Sequence, residues 1–241
     1  SVFSVGIVFS YTRAAWVSLI GALLLFCIYK YKIKFKWLLT TAAAGIILLI
    51  MSWNSLLIDL ERNNQESSDE LTEHVESISN ISSDASNVER LNRWSCALRM
   101  FQEKPIFGWG PGTYVFQYAP FQLSSEKTII STNAGSNGNA HSEYIGPLAE
   151  SGLIGTITFL LIIIMVFYRG SKLYHKLPKG DLKNLVLAIL LGLFTYVVHG
   201  LLNNYLDTDK ASVPFWGFTA VIVSIGLYHQ HSVSSIKEQG K

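Results

Sequence analysis

"AHSEYIGPLAESGLIGTITFLLIIIMVFY", residues 140–168, opens on a histidine and runs into an almost unbroken apolar stretch. From Ile145 to Tyr168 only Glu150 carries a charge. A membrane helix needs about 20 mainly apolar residues, and this run supplies them. A buried helix of a soluble core is the alternative, and the length of the run favours a span. The chain as a whole agrees: 49% of its 241 residues are hydrophobic and only 15% are charged. That balance is unusual for a soluble domain.

Four more stretches of this kind flank it. The spans predicted from apolar runs cover residues 14–29, 37–53, 145–168, 184–202 and 213–228. Trp16, Trp37, Trp53, Tyr168, Trp216 and Tyr228 lie toward their ends, where interfacial aromatics belong. The opening "SVFSVGIVFS" has no Met and no charged region ahead of a cleavage site. It reads as the tail of an earlier span, so the chain reads as part of a longer protein. The domain plan is then a membrane portion with two spans over 1–53, a loop region over 54–144, a membrane portion with three spans over 145–228, and a tail over 229–241.

Basic residues set the expected orientation. "KYKIKFK" (30–36) and "RGSKLYHKLPKGDLK" (169–183) are short lysine-rich connections, and the tail adds Lys237 and Lys241. Such segments stay in the cytoplasm. Alternating spans then put Arg13, the 54–144 region and "NNYLDTDKAS" (203–212) on the opposite side, the periplasm of a bacterium. The expected fold class is all-α, a polytopic membrane helix bundle with a large, mostly helical periplasmic loop. The expected location is the bacterial inner membrane, multi-pass, with the active face periplasmic.

A net charge of +2 is too small to imply a nucleic-acid partner, and none is expected. Cys27 lies in an apolar run and Cys96 in a polar segment, so they are not expected to form a disulfide, and neither has metal-ligand spacing.

The loop region divides in two. Residues 59–84 are rich in acids, Ser and Asn and can bury little surface. His74 among these acids reads as a solvated side chain. Beyond them, "VERLNRWSCALRMFQEKPIFGWGPG" (88–112) carries Leu91, Trp94, Leu98 and Phe101 at helical spacing. Asn87 is a plausible N-cap, and Lys104-Pro105 should end the helix. Arg90 and Arg93 are three apart and share a face. Their guanidinium forks suit phosphate oxygens; pairing with acids such as Glu89 is the alternative. Gly108, Gly110 and Gly112 lack P-loop spacing, and a tight structural turn is the reading adopted.

Three motifs, in order, resemble the O-antigen ligase and O-antigen polymerase superfamily. They are "YTRAAWVSL" (11–19) at the start of a span, "ERLNRWSCALRMFQEKPIFGWGPGTY" (89–114) in the loop, and "AHSEYIGPLAESGLIG" (140–155). The resemblance covers most of the chain, from about Val8 to Tyr228. It implies an integral membrane glycosyltransferase of the C type (GT-C-like) with a polyprenyl-diphosphate-linked glycan donor. Ligases of the superfamily pass the glycan to lipid A-core, polymerases to another repeat unit, and some relatives to protein hydroxyls. The most direct expectation is an O-antigen ligase in lipopolysaccharide biosynthesis, with polymerase as the alternative. The implied partners are the lipid-linked donor, a lipid A-core or glycan acceptor, and membrane lipids. No metal or soluble cofactor is implied. Carried over by motif, His141 matches the essential histidine, Arg13 the arginine at the outer end of a span, and Arg90 or Arg93 the arginine of the large loop. Family members usually have about twice as many spans, and residues 59–84 have no counterpart.

The chemistry fits these residue types. Displacement at an anomeric carbon requires the leaving diphosphate to be held and the acceptor hydroxyl to lose its proton. Arginine stays charged as the leaving group develops charge. A neutral imidazole is well populated at neutral pH and can take the proton. Glu143 and Glu150 are candidates to orient the ring or the acceptor. The alternative for His141 is an interfacial histidine at a helix start, with Asn139 or Ser142 capping. His175 falls in a basic loop, and His199 lies within a span, where a polar group can be functional. A transporter subunit would need ionisable residues lining a path through the spans, and the spans hold almost none apart from His199. A non-catalytic scaffold is opposed by the placement of Arg13, Arg90, Arg93 and His141 on one side.

Overall fold

The computed structural model describes residues 13–32, 85–128, 131 and 138–239. The span expected at 37–53, the acidic stretch 59–84 and His74 lie outside the described residues. Among those described, every regular element is helical. We number them α1 (Arg13–Tyr31), α2 (Ala85–Glu103), α3 (Tyr114–Gln117), α4 (Ile145–Lys176), α5 (Asp181–His199) and α6 (Asp209–Gln239). A single 3-10 turn, Ala119–Phe121, follows α3.

Helices α1, α4, α5 and α6 are each long and apolar enough to cross a membrane. They make this a polytopic helical membrane protein. Their large side chains point outward as well as inward: Leu23, Leu24, Ile164 and Val213 are all exposed in the isolated chain. Such all-round hydrophobicity suits lipid, because a lipid-facing helix satisfies its own backbone and need only present carbon. The bundle core is built by Ile163, Val166 and Leu173 of α4, Val186, Leu190 and Leu193 of α5, and Phe215 and Ile222 of α6. Lipid offers no hydrophobic drive between helices, so close packing holds the bundle. A Cβ on Gly170 would stand 2.6 Å from Leu190 Cδ2, and one on Gly21 would stand 3.1 Å from Phe194. Helix α1 therefore lies along α5, and α4 along α5 and α6. The starts of α1, α4 and α6 and the end of α5 gather at one end, called here the loop end.

Most helix ends differ from the apolar runs; α4, for example, continues to Lys176, past Tyr168. Helix α6 continues through the residues expected to form a tail, because no proline or glycine interrupts the chain between Leu227 and Gly240. Helix α2 begins at Ala85, so Asn87 lies inside it rather than capping it. It ends at Glu103, directly before Lys104-Pro105, as expected.

The break in α4 has the largest consequences. Helix α4 is broken at Gly152, whose φ of 62° and ψ of −162° are not helical. A broken helix exposes unpaired carbonyls on one side and unpaired amides on the other. The segment 105–110 fills both vacancies. Trp109 and Gly110 donate their amides to the carbonyls of Ala149 and Glu150 at 2.9 and 2.8 Å. Leu153 and Ile154 donate to the carbonyls of Pro105 and Ile106 at 2.8 and 3.4 Å. The approach is so close that a Cβ on Gly108 would lie 2.4 Å from the Glu150 carbonyl carbon. Gly108, at φ 67°, also needs the left-handed conformation that glycine adopts freely. The alternating glycines thus form a structural turn that splices the loop into α4. The unbroken part beyond Gly152, residues 153–176, is roughly 36 Å long at 1.5 Å per residue, enough to cross the hydrocarbon core.

A second, smaller core sits above the bundle. Cys96, Ala97 and Met100 of α2 meet Tyr114, Tyr118, Ala140 and Ala149 there. The buried face of α2 thus carries Cys96, Ala97 and Met100 together with the polar Glu89, Asn92 and Arg93. Leu91 and Leu98 of the apolar stripe are each 44% exposed instead.

Candidate active site

The base of the site is the buried polar face of α2. Glu89 is 5% exposed and sits at the centre of a hydrogen-bond network. It accepts from Arg93 Nε at 2.7 Å, from Thr128 Oγ1 at 2.9 Å and from the Ser131 hydroxyl. Burial alone would raise the Glu89 pKa, but the bonds from Ser131, Arg93 and Thr128 outweigh it and hold the carboxyl below its ordinary value. The ion pair that the sequence left as an alternative is therefore formed by Arg93, one turn along α2. The Arg93 guanidinium also lies over the Tyr118 ring, 4.8 Å from its centroid. Tyr118 stacks on Tyr114 with ring centroids 5.3 Å apart, and the Tyr114 hydroxyl donates to the Arg93 carbonyl at 2.8 Å.

This platform carries the histidine segment. Gly138 lies flat on it: a Cβ there would stand 2.4 Å from the Tyr118 ring and 2.6 Å from Arg93 Nη1. In the next residue, Asn139 Oδ1 accepts the His141 amide at 3.0 Å. His141 itself has φ 47°, a left-handed conformation that a non-glycine residue adopts only when its surroundings hold it there. Asn139 therefore fixes the histidine backbone rather than capping a helix. Ser142 Oγ accepts from the amides of Tyr144 and Ile145, both at 3.3 Å, and steadies the start of α4. Partial burial pushes the His141 pKa down, Arg90 and Arg93 push it down further, and Glu89 opposes them. His141, Arg90 and Arg93 are thus close enough to act on one another.

Glu143 and Glu150 do other work than orienting the ring. Glu150 accepts the Tyr114 amide at 2.9 Å and so caps the short helix α3. The Glu143 carboxylate accepts from the Tyr196 hydroxyl and from the Leu206 amide at 2.8 Å, and its amide donates to the Gly200 carbonyl at 2.8 Å. Burial raises the Glu143 pKa against the pull of those bonds. Glu143 ties the histidine segment to the end of α5 and to the connection leading into α6. His199, at that end of α5, meets Asn203 Nδ2 through Nε2 at 3.2 Å and faces the Tyr205 ring. His175 sits at the far end of α4, with Nδ1 2.8 Å from the Ser171 carbonyl oxygen.

Two cavities flank the histidine segment. One, of about 450 Å³, is lined by apolar residues including Ala14 and Val17 of α1, Trp94 of α2, and Val198 and Leu201. The other, of about 320 Å³, is polar and includes Asn139, Glu150, Asn204 and Asp207 in its walls. Ser142 borders both. Arg13 is the first residue of α1, and only its backbone is among the described atoms. Its neighbour Ala14 shares the apolar cavity with Trp94, one turn beyond Arg90. The start of α1 is therefore beside the histidine segment. Among the described residues, no three His, Cys, Asp or Glu side chains converge as metal ligands would.

Sequence reasoning did not single out Asn139 as the residue holding His141, nor Glu89 as the centre of the platform. The spacing Glu89–Arg93 (i, i+4) on a helix was a usable signal for that pair. The partners Thr128 and Ser131 are distant in sequence and left no local signature.

A family model described as O-antigen ligase matches residues 1–160. No curated protein and no solved structure matches the chain.

Proposed function

Because the chain belongs to the O-antigen ligase family, whose members are membrane glycosyltransferase-like ligases, we propose that it moves a glycan from a polyprenyl-diphosphate donor to a hydroxyl of lipid A-core. The reaction runs on the periplasmic face of the bacterial inner membrane. The observation that carries this reading is the cluster of His141, Arg90 and Arg93 at the loop end, beside an apolar cavity that begins at α1.

In this reading the isoprenoid chain lies in the apolar cavity and its diphosphate reaches the start of α1. Arg13 and Arg90 grip the phosphate oxygens, with Arg93 completing the positive field. Of the two loop arginines, Arg90 is the more exposed, while Arg93 is held from behind by Glu89. Guanidinium groups keep their charge throughout, so they stabilise the leaving diphosphate as its bond to the anomeric carbon breaks. His141 takes the proton of the acceptor hydroxyl as that oxygen attacks. Its lowered pKa keeps the imidazole in the neutral, proton-accepting form at neutral pH. The left-handed turn that Asn139 imposes fixes the ring's approach before substrate arrives, and such orientation itself lowers the barrier.

Deleting the gene and separating the cell's surface glycans on a gel tests the reading. Loss of all long chains from the lipid core is the expected result. Single repeat units left on the core would identify a polymerase instead, and an unchanged pattern would overturn both.

A further inference from the structure

Ser142, the residue after His141, borders two chemically opposite cavities. The apolar one suits an isoprenoid chain. The polar one, of about 320 Å³, lies near the lower end of the roughly 300–1,000 Å³ range of small-molecule sites. Its walls come from four separate parts of the chain: the loop around Tyr114, the histidine segment, the first turns of α4, and the connection between α5 and α6.

We infer that this polar cavity is the subsite for the acceptor sugar, and that it takes a neutral or amino-bearing glycosyl residue. The assignment rests on the transferase reading given above. Its hydrogen-bonding groups are mixed. Asn139 uses its oxygen on the His141 amide, which leaves its two amide hydrogens free of partners among the described residues. Ser142 accepts two backbone amides and keeps its own hydroxyl proton to donate. Asn204 donates to Asp207 at 3.1 Å and keeps its carbonyl oxygen. Glu150 commits one oxygen to Tyr114 and keeps the other. A sugar hydroxyl both donates and accepts, so a ring of hydroxyls matches such a set, where an apolar or purely anionic ligand would leave groups unmet.

The charge of the walls decides which substrate belongs there. Glu143, Glu150 and Asp207 line the cavity, and among the described residues no lysine or arginine does. A donor diphosphate is repelled from such a site. The apolar cavity is bordered instead by Trp94, one turn along α2 from Arg90, and in this reading the donor's phosphates lie on that side. Uronic and phosphorylated sugars are disfavoured for the same reason as the diphosphate.

Saturation-transfer NMR on the full-length protein in nanodiscs tests this without requiring catalysis. The probes are methyl glucopyranoside, methyl glucosaminide and methyl glucuronide. The first two are expected to show transfer and the glucuronide to show much less. Asn204→Ala and Asp207→Asn, both on the outer connection, are each expected to weaken binding about tenfold, the effect of one hydrogen bond involving a charged or polar partner. Unchanged melting of both variants excludes unfolding as the cause. Signals that persist at wild-type strength in both variants overturn the assignment. So does the absence of signal for every glycoside, or equal binding of the glucuronide. Failure of the transferase reading is seen separately, as unaltered surface glycans in the deletion strain.

Discussion

Gly152 faces the Ile106 carbonyl so closely that a Cβ added to the glycine would stand 2.4 Å from that oxygen. The two residues belong to motifs nearly fifty positions apart. Their contact closes the break in α4 and sets the depth at which the loop meets the membrane helices. The histidine segment, the platform beneath it and the start of α4 all depend on that splice.

Gly152→Ala should therefore destabilise the protein. The left-handed backbone alone costs a non-glycine residue roughly 1–3 kcal/mol, and the clash with backbone adds to it. Lower membrane levels and a reduced melting temperature in detergent are the expected readouts. Gly112→Ala is the control: its φ of 72° carries the same conformational cost, but nothing lies within 4 Å of an added Cβ. The smaller effect is expected there.

Glu89→Ala should be costly in a different way. It removes the carboxylate from a buried pair in which both side chains are 6% exposed. Breaking a buried pair by deleting one partner costs about 3–5 kcal/mol, because the other charge stays behind. Denaturant titration of the purified protein measures this loss. A change within experimental error would show that the Glu89 network does not support the platform.

The pH dependence of transfer follows from the charges around His141. Burial, then Arg90 and Arg93, hold its pKa below the ordinary 6.5. The base must be neutral, so activity is lost as pH falls through that lowered value. Replacing Arg90 with Gln removes a positive neighbour, raises the His141 pKa and should move the acid limb of kcat/KM to higher pH. Replacing Glu89 with Gln removes a negative neighbour and should move the limb the other way. Identical acid limbs in all three proteins would separate the histidine from the titration.

Arg13→Lys should impair transfer while preserving charge. Lysine cannot form the planar fork that grips two phosphate oxygens. Losing one charge-assisted bond lowers kcat/KM by about tenfold or more. Assay of the purified variant with lipid-linked donor checks this, and wild-type turnover would remove Arg13 from the clamp.

The membrane helices were legible because lipid imposes a simple rule: about 20 apolar residues in a row. The run through Ile162, Ile163 and Ile164 could hardly be anything else. The break at Gly152 was not legible, since the apolar pattern continues across it and the carbonyls and amides that heal it come from residues 105–110. The buried face of α2 was not legible for a related reason. Leu91 and Leu98 mark an apolar stripe, but the neighbours of α2 are the polar histidine segment and two tyrosines, which select Asn92, Arg93 and Cys96. The span topology put Arg90, Arg93 and His141 on one side of the membrane. What fixes their approach is the Asn139–His141 turn and the Gly138 contact with Tyr118, pairings that no local spacing reveals.

The most direct measurement is glycan transfer by His141→Ala and His141→Gln, with protein level and membrane insertion measured in parallel. A positioned general base contributes about 100- to 10,000-fold. Transfer should fall by that range in both variants while the protein remains inserted at wild-type abundance. Transfer at the wild-type rate from either inserted variant would contradict the assignment of His141 as the base.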